Sequence, residues 1–226
     1  MDSTTIVRVN STIDDNIFVF ASSPFMTQSG AAMVSFTYDN HPLYLQTPIV
    51  TCPVGFRVFE RNNKNHKLML TPTPDMVQFI QHIDGIDIDN IMKNSQEWFG
   101  KKFQSKEILQ ALFYPSLKMS DKYPPSMNIR LRFDNETLLP TFTVFDTQRN
   151  EITFDKSSGP EQLIEILHRK CQVRLIIGHA SVWGISGRYG YGWDCVQIQL
   201  CNNPTLLTNV KHCLFNDDEE KENNDT

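Results

Sequence analysis

A run of aromatic residues spaced by glycine, from Ala180 to Asp194, does most to restrict how this chain can fold. Trp183, Tyr189, Tyr191 and Trp193 fall within it together with Gly184, Gly187, Gly190 and Gly192, so rings and gaps alternate. The apolar segment Val173 to Ile177 precedes the run and Val196-Gln197-Ile198-Gln199-Leu200 follows it, which reads as strand, turn, strand. Ser186-Gly187-Arg188 supplies the positive-φ residue that a tight hairpin needs. Glycines beside aromatics leave space next to each ring, where a flat ligand can lie. Arg188 adds a cation, and rings with a cation are the equipment for stacking bases. The same pattern also suits a core hairpin packed beneath a helix. Alternation places Tyr189, Tyr191 and Trp193 on one face and the flanking glycines on the other. The two readings differ in whether the ring face meets solvent.

The rest of the chain changes period twice. Residues 1–16 are polar and expected to be irregular. Met33 to Tyr38 alternates, Asp39-Asn40-His41-Pro42 reads as a turn, and strands are expected over Leu43 to Val50, Val54 to Glu60 and Leu68 to Leu70. Pro42 and Pro48 put the strand over Leu43 to Val50 at an edge or at a bulge. From Thr73-Pro74 the apolar spacing becomes helical, with Gly85 expected to divide two helices before Gly100, and Ser105 caps a third that ends at Phe113. Alternation returns at Asn128 to Phe133, burying Ile129, Leu131 and Phe133 and turning Arg130 and Arg132 outward. A hairpin around Thr147 to Asn150 and a helix from Glu161 to Lys170 complete the order, and Pro204 to Phe215 is expected to include a short helix. Strands, a helical insertion at about 74–113, strands, helix, strands describe an α+β chain. The expected architecture is a small OB-like β-barrel elaborated by that insertion, one domain over 17–215.

Several function classes are disfavoured. No stretch of about 18 apolar residues exists to span a membrane, and Met1 to Thr5 lacks the basic and apolar regions of a secretory signal, so an intracellular chain is expected. The five cysteines, 52, 171, 195, 201 and 213, contain no CxxC pair, and neither a disulfide framework nor a zinc site is expected. Gly187 to Gly192 has the wrong spacing for a phosphate-binding loop, and neither GxSxG nor HExxH occurs. Asp84, Asp87 and Asp89 are interleaved with isoleucines and read as a solvated helix junction rather than a metal loop. No enzyme, cofactor or metal is expected.

The net charge of −5 is unevenly placed. Six of the 26 acids, including Asp217, Asp218, Glu219, Glu220 and Glu222, fall in the last eleven residues with a single base, Lys221. The remaining acids and bases are equal in number. Such an acidic block (216–226) is expected to be disordered and to bind basic partners or cover a basic groove. Within the neutral body, bases and rings interleave at Arg57, at Lys101 and Lys102, at Lys118, Lys122 and Tyr123, at Arg130 and Arg132, and in the hairpin. Cations for phosphates and rings for bases are what a single-strand groove needs.

The motif order is specific as a set. Asn94 to Lys102 contains Trp98-Phe99-Gly100; Asp121 to Leu131 contains Tyr123-Pro124-Pro125; the chain closes with Val182-Trp183-Gly184-Ile185 and Tyr189 to Gln197. Over roughly residues 90–200 this resembles a family of single-stranded-DNA-binding proteins of large nucleocytoplasmic DNA viruses of algae, amoebae and other eukaryotes. The resemblance implies an OB-like fold and sequence-independent binding of single-stranded DNA in viral replication, recombination or repair, in a cytoplasmic virus factory or the nucleus. It fits an acidic tail that recruits replication proteins. Arg130 and Arg132 stand where lysines are usual, which preserves charge. The expected DNA-binding set is therefore Trp183, Arg188, Tyr189, Tyr191, Trp193, Arg130, Arg132, Arg57, Lys101, Lys102, Lys118, Lys122 and Tyr123. The alternative is a viral structural or scaffold protein that uses the aromatic hairpin as a protein interface, since Tyr, Trp and Arg also anchor such surfaces. Either role allows a homo-oligomer.

Overall fold

A computed structural model describes residues 6–57, 66–155, 161–179 and 181–202. The strands are β1 (Ile6–Arg8), β2 (Phe18–Phe20), β3 (Phe25–Met26), β4 (Ala32–Tyr38), β5 (Leu43–Gln46), β6 (Val50–Cys52) and β7 (His66–Leu70). Helices α1 (Pro74–Phe99) and α2 (Lys106–Leu112) follow. Then come β8 (Phe113–Tyr114), β9 (Leu117–Lys118), β10 (Ser126–Leu131), β11 (Thr143–Phe145), β12 (Glu151–Ile152) and helix α3 (Glu161–Ile166). Four strands close the order: β13 (Cys171–His179), β14 (Ser181–Ile185), β15 (Arg188–Tyr191) and β16 (Trp193–Leu200). The main sheet runs β1-β5-β13-β16-β10-β7, with β11 and β12 continuing from β16; the second runs β2-β4-β14-β15-β8.

The two sheets are one curled surface with a corner. Residue 180 alone separates β13 from β14, and Gly192 alone separates β15 from β16, so both long strands cross from sheet to sheet side by side. The inner side of the bend is closed by α1. Thr73 caps that helix through Met76 N–H (3.4 Å), Pro74 occupies its first turn, and Gly100 ends it in the left-handed region at φ 65°. Trp98 reaches Phe20 (ring centroids 5.6 Å apart), and Asp87 reaches His179. The result is a mixed α+β half-barrel whose core lies between the curled sheet and α1.

Several expectations change. Gly85 does not divide the helix: Ile80, Ile83, Ile86, Ile88 and Ile91 are buried on both sides of it, and their burial outweighs the ~1 kcal/mol helix cost of one glycine. Residues 1–16 are not wholly irregular, because Ile6–Arg8 pairs in parallel with Tyr44–Gln46. The strand expected over Leu43 to Val50 breaks at Thr47-Pro48, where Thr47 Oγ1 accepts the Leu175 N–H (2.9 Å) that the ladder would otherwise have used. Val54 to Arg57 is not a strand, and α3 stops at Ile166. Residues 58–60, the helix expected within 204–215 and the acidic block lie outside the described residues.

Candidate nucleic-acid interface

Residues opposite one another on neighbouring strands point to the same side of a sheet. On the side of the main sheet turned away from the core, Arg8 pairs with Gln46, Gln46 with Ile176 and Ile176 with Gln197. The adjoining row is Arg174, Gln199 and Phe145. Together with Arg149 these rows line an open groove of about 590 Å³. Arg149 sits in the β11–β12 turn, whose shape is set by Asp146 accepting the Gln148 and Asn150 N–H groups at 2.8 Å each. Among the described residues no acid lines this groove, and Arg8, Arg149 and Arg174 have no ion-pair partner. A smaller cavity of about 220 Å³ shares Arg8, Gln46 and Arg174 and extends to Thr73 and Asp75 at the start of α1. Phe145, Ile176 and Arg174 are half-buried, so apolar and cationic surface meet at the groove floor. Tyr44 lies beside it, its ring 3.3 Å from where a Cβ on Gly178 would stand. Chemically, this is a strip of cations flanked by two partly exposed rings.

The hairpin is built differently from the stacking platform expected of it. Its turn is as read: Ser186 and Gly187 have φ of 49° and 74°, and Ile185 pairs with Arg188. Yet Tyr189, Tyr191 and Trp193 are 4%, 6% and 0% exposed. Tyr189 packs on Phe99 and Phe103 at the end of α1, while Tyr191 and Trp193 pack on His179. These three rings are core, and their assignment as stacking residues is corrected. The glycine gaps are also occupied. At Gly190 an added Cβ would stand 3.0 Å from the Trp183 ring, at Gly192 3.0 Å from the Arg130 guanidinium, and at Gly184 2.6 Å from Phe99.

Trp183 is half-exposed and Arg188 exposed, on the outer side of the second sheet. Arg188 Nη1 donates to the Ala111 carbonyl (3.3 Å). Arg130 and Arg132 do face outward, but each makes two hydrogen bonds to Asp194, with Nε distances of 2.8 and 2.9 Å. One carboxylate held by two guanidinium forks leaves one net positive charge for a ligand rather than two. Arg57, Lys101, Lys102, Lys118, Lys122 and Tyr123 are all exposed, on separate loops and strand ends, and none lines the groove. Lys101 lies over the Phe103 ring at 5.6 Å.

The DNA-binding set expected from the sequence contains none of Arg8, Arg149, Arg174, Phe145 and Tyr44. Alternation in Ile6-Val7-Arg8 and in Val173 to Ile177 carried the signal for Arg8 and Arg174, since each follows a residue that is now buried. No such signal exists for Arg149, which a turn presents.

The Asp84, Asp87 and Asp89 group is corrected as well. Asp89 is exposed and pairs with Lys106, but Asp84 and Asp87 are buried against the corner of the sheets. Asp87 Oδ2 is 3.0 Å from His179 Nε2. Burial pushes the Asp84 carboxyl up to about 6, and the Tyr191 hydroxyl beside it pulls the other way without cancelling this. Burial raises Asp87 too, against the pull of His179. A raised carboxyl contributes stability that is complete below its unfolded value of 3.8 and lost as pH rises through 6. Asp84→Asn is therefore expected to be more stable than the parent at pH 7.5, by about 2 kcal/mol, with a shallower fall in stability between pH 4 and 7. Urea unfolding at the two ends of that window measures it; a variant less stable than the parent at pH 7.5 contradicts it.

By overall shape the chain is similar to three solved structures of one phage protein. The single-stranded DNA-binding protein from bacteriophage Enc34, in complex with ssDNA, aligns at a TM-score of 0.44 and 13% identity, over 80% of this chain and 95% of that chain. A second structure of the single-stranded DNA-binding protein from bacteriophage Enc34, and one of its C-terminal truncation, each align at 0.42, with 12% and 13% identity, over 80% of this chain and 89% and 93% of theirs. At TM-scores below 0.5 this is likeness of outline, and the functional reading rests on side chains instead. No curated protein matches the chain by sequence. A family described as "Family of unknown function (DUF5871)" matches residues 60–217, well over half of the chain and including the hairpin, the corner and β13 with Arg174. The protein belongs to the DUF5871 family.

Proposed function

We propose that this protein binds single-stranded DNA without sequence preference and without catalysis, with the strand lying in the arginine groove of an OB-like half-barrel. The observation that carries the proposal is the groove itself: Arg8, Arg149 and Arg174, free of acid partners among the described residues, stand around Phe145 and beside Tyr44. Guanidinium groups neutralise phosphates, and partly exposed rings stack bases at roughly 1–3 kcal/mol each. Stacking needs base faces that only a single strand offers, and the glutamine amides of Gln46, Gln197 and Gln199 meet any base or backbone alike. Beyond the groove, Arg132, Trp183 and Arg188 extend the outer surface that a longer strand can follow.

The proposed role, from the resemblance to viral single-strand binders, is in viral DNA replication, recombination or repair. The acidic block from Asn216 fits this site by charge. The described chain ends at Asn202, whose side chain accepts the Gln172 N–H (2.9 Å) two residues from Arg174. In this reading the chain beyond Asn202 leads on to the acidic block, which covers the groove or recruits basic replication proteins.

Fluorescence anisotropy with a labelled oligonucleotide tests the proposal. Affinity is expected to fall steeply with salt, with a slope of about −0.7 per neutralised phosphate, and to exceed affinity for duplex of equal length. Absent or salt-independent binding overturns it.

One observation favours the scaffold reading. Phe25, Met33, Trp183 and Tyr114 form a row across β3, β4, β14, β15 and β8, passing over Gly190, and Phe25 and Tyr114 are 55% and 66% exposed. That reading gains if the protein assembles in solution and ignores the oligonucleotide.

A further inference from the structure

Cysteine spacing in the chain offers no disulfide, but the fold brings two distant thiols together. Cys52 ends β6 and Cys171 begins β13, and the two are directly opposite in the antiparallel ladder. Val50 and Val173, the next pair along, are buried on the same side, so both thiols point into the core. The two thiols are close enough to perturb each other, the Cys171 thiol and burial together pushing that of Cys52 up. The backbone is tied at the same place, with Lys170 N–H donating to the Cys52 carbonyl (2.8 Å). Next to it Gly55 turns at φ 68°, its Cα so close to Leu167 and His168 that a Cβ would stand 2.6 Å from the Leu167 carbonyl oxygen. The two strand ends therefore have little freedom to separate. Directly opposed antiparallel residues have Cα atoms about 4.5–5.5 Å apart, inside the range of roughly 4.4–6.8 Å that a disulfide spans.

We propose that Cys52 and Cys171 are a disulfide-forming pair, oxidised by a small hydroperoxide and closing β6 onto β13. The oxidant must be small because the two residues are 0% and 1% exposed, which shuts out bulky disulfides and requires a transient local opening even for a molecule little larger than water. In the first step Cys171 Sγ attacks one oxygen of hydrogen peroxide. The O–O bond breaks, a sulfenic acid forms on Cys171, and the departing hydroxide takes the thiol proton as water. Cys171 is the first nucleophile because the hydrogen bond from Cys52 favours its thiolate, while that same contact and burial disfavour the thiolate of Cys52. In the second step Cys52 Sγ attacks Cys171 Sγ. The S–S bond forms, the S–O bond breaks, and hydroxide leaves with the Cys52 proton as a second water. Two electrons pass from the two sulfurs to one peroxide, giving one disulfide and two waters.

The other described cysteines have no such partner. Cys195 is buried opposite Ile177, and Cys201 Sγ donates to the Gln199 carbonyl at 3.7 Å. The bridge would close a loop holding α1, α2 and most of the main sheet's edge strands, and so restrict the unfolded chain.

The test uses the full-length protein, treated natively with hydrogen peroxide and then alkylated in denaturant. The expected result is loss of two of the five thiols, a peptide cross-link joining 52 to 171, reversal by dithiothreitol, and a melting temperature several degrees higher for the oxidised form. Cys52→Ala removes the resolving thiol, so a sulfenic acid on Cys171 is expected to be trapped by dimedone. Five free thiols after treatment, a cross-link between other cysteines, or direct passage of the parent's Cys171 to sulfinic acid overturns the proposal. The parent protein's mass map decides the matter even if the variant does not fold.

Discussion

Replacing Arg8 and Arg174 together with alanine is expected to weaken single-stranded DNA binding by about 10- to 100-fold at low salt. The salt slope should flatten by about 1.4, the share of two phosphates at 0.7 each. Both side chains lie over the cavity on the outer side of the main sheet, and neither has an ion-pair partner among the described residues. Removing them therefore takes away ligand contacts without leaving a buried charge behind, and the melting temperature should hardly move. Lys101→Ala with Lys102→Ala provides the comparison. These two are equally basic, but they follow the end of α1 and line no part of the groove. Their loss should change affinity by less than about twofold, in keeping with diffuse electrostatics. Equal losses for the two double variants would mean that general positive charge, and not the groove, attracts the strand.

Trp193→Ala is expected to have the largest effect on stability, about 3–5 kcal/mol, with binding retained where the variant is folded. Trp193 is fully buried, at the first position of β16 where the chain turns from one sheet to the other, with Tyr191 and His179 against its ring. Its indole nitrogen has no hydrogen-bond partner among the described residues, so the loss is one of packing and cavity formation. Urea unfolding gives the stability change, and anisotropy at low temperature gives the affinity. A variant of unchanged stability that fails to bind DNA would return Trp193 to the stacking role that the hairpin's composition implies.

Local chemistry was legible wherever it depends on neighbours in the chain. Thr73-Pro74 starts α1 as its cap and first-turn residues dictate, and Gly100 ends it. The alternation of Met33 to Tyr38 became β4, the β11–β12 hairpin formed where the turn residues put it, and Ser186-Gly187 took the positive φ values of a tight turn. Even the grouping of Tyr189, Tyr191 and Trp193 on one face was correct, because a strand has a period of two whatever surrounds it.

What alternation cannot say is which face is covered. That was decided by α1, which runs unbroken through Gly85 because its isoleucines find a core on the concave side of the sheet. Once α1 lies there, the three rings of the hairpin are inside, Asp84 and Asp87 are taken in with them, and the outer side is left to Arg174 and its neighbours. The glycine gaps were equally ambiguous, since space beside a strand is filled by whatever side chain the fold brings to it, here Trp183, Arg130 and Phe99. Pairings between distant residues belong wholly to the tertiary level. Asp194 between Arg130 and Arg132, Arg8 beside Arg174, and Cys52 opposite Cys171 each join segments far apart in the chain, and sheet register alone makes them neighbours. The sequence by itself determined the elements, the turn and the division of each strand into two faces. Tertiary structure decided which face meets solvent, because burial is a property of the assembled sheets and helix and not of any one segment.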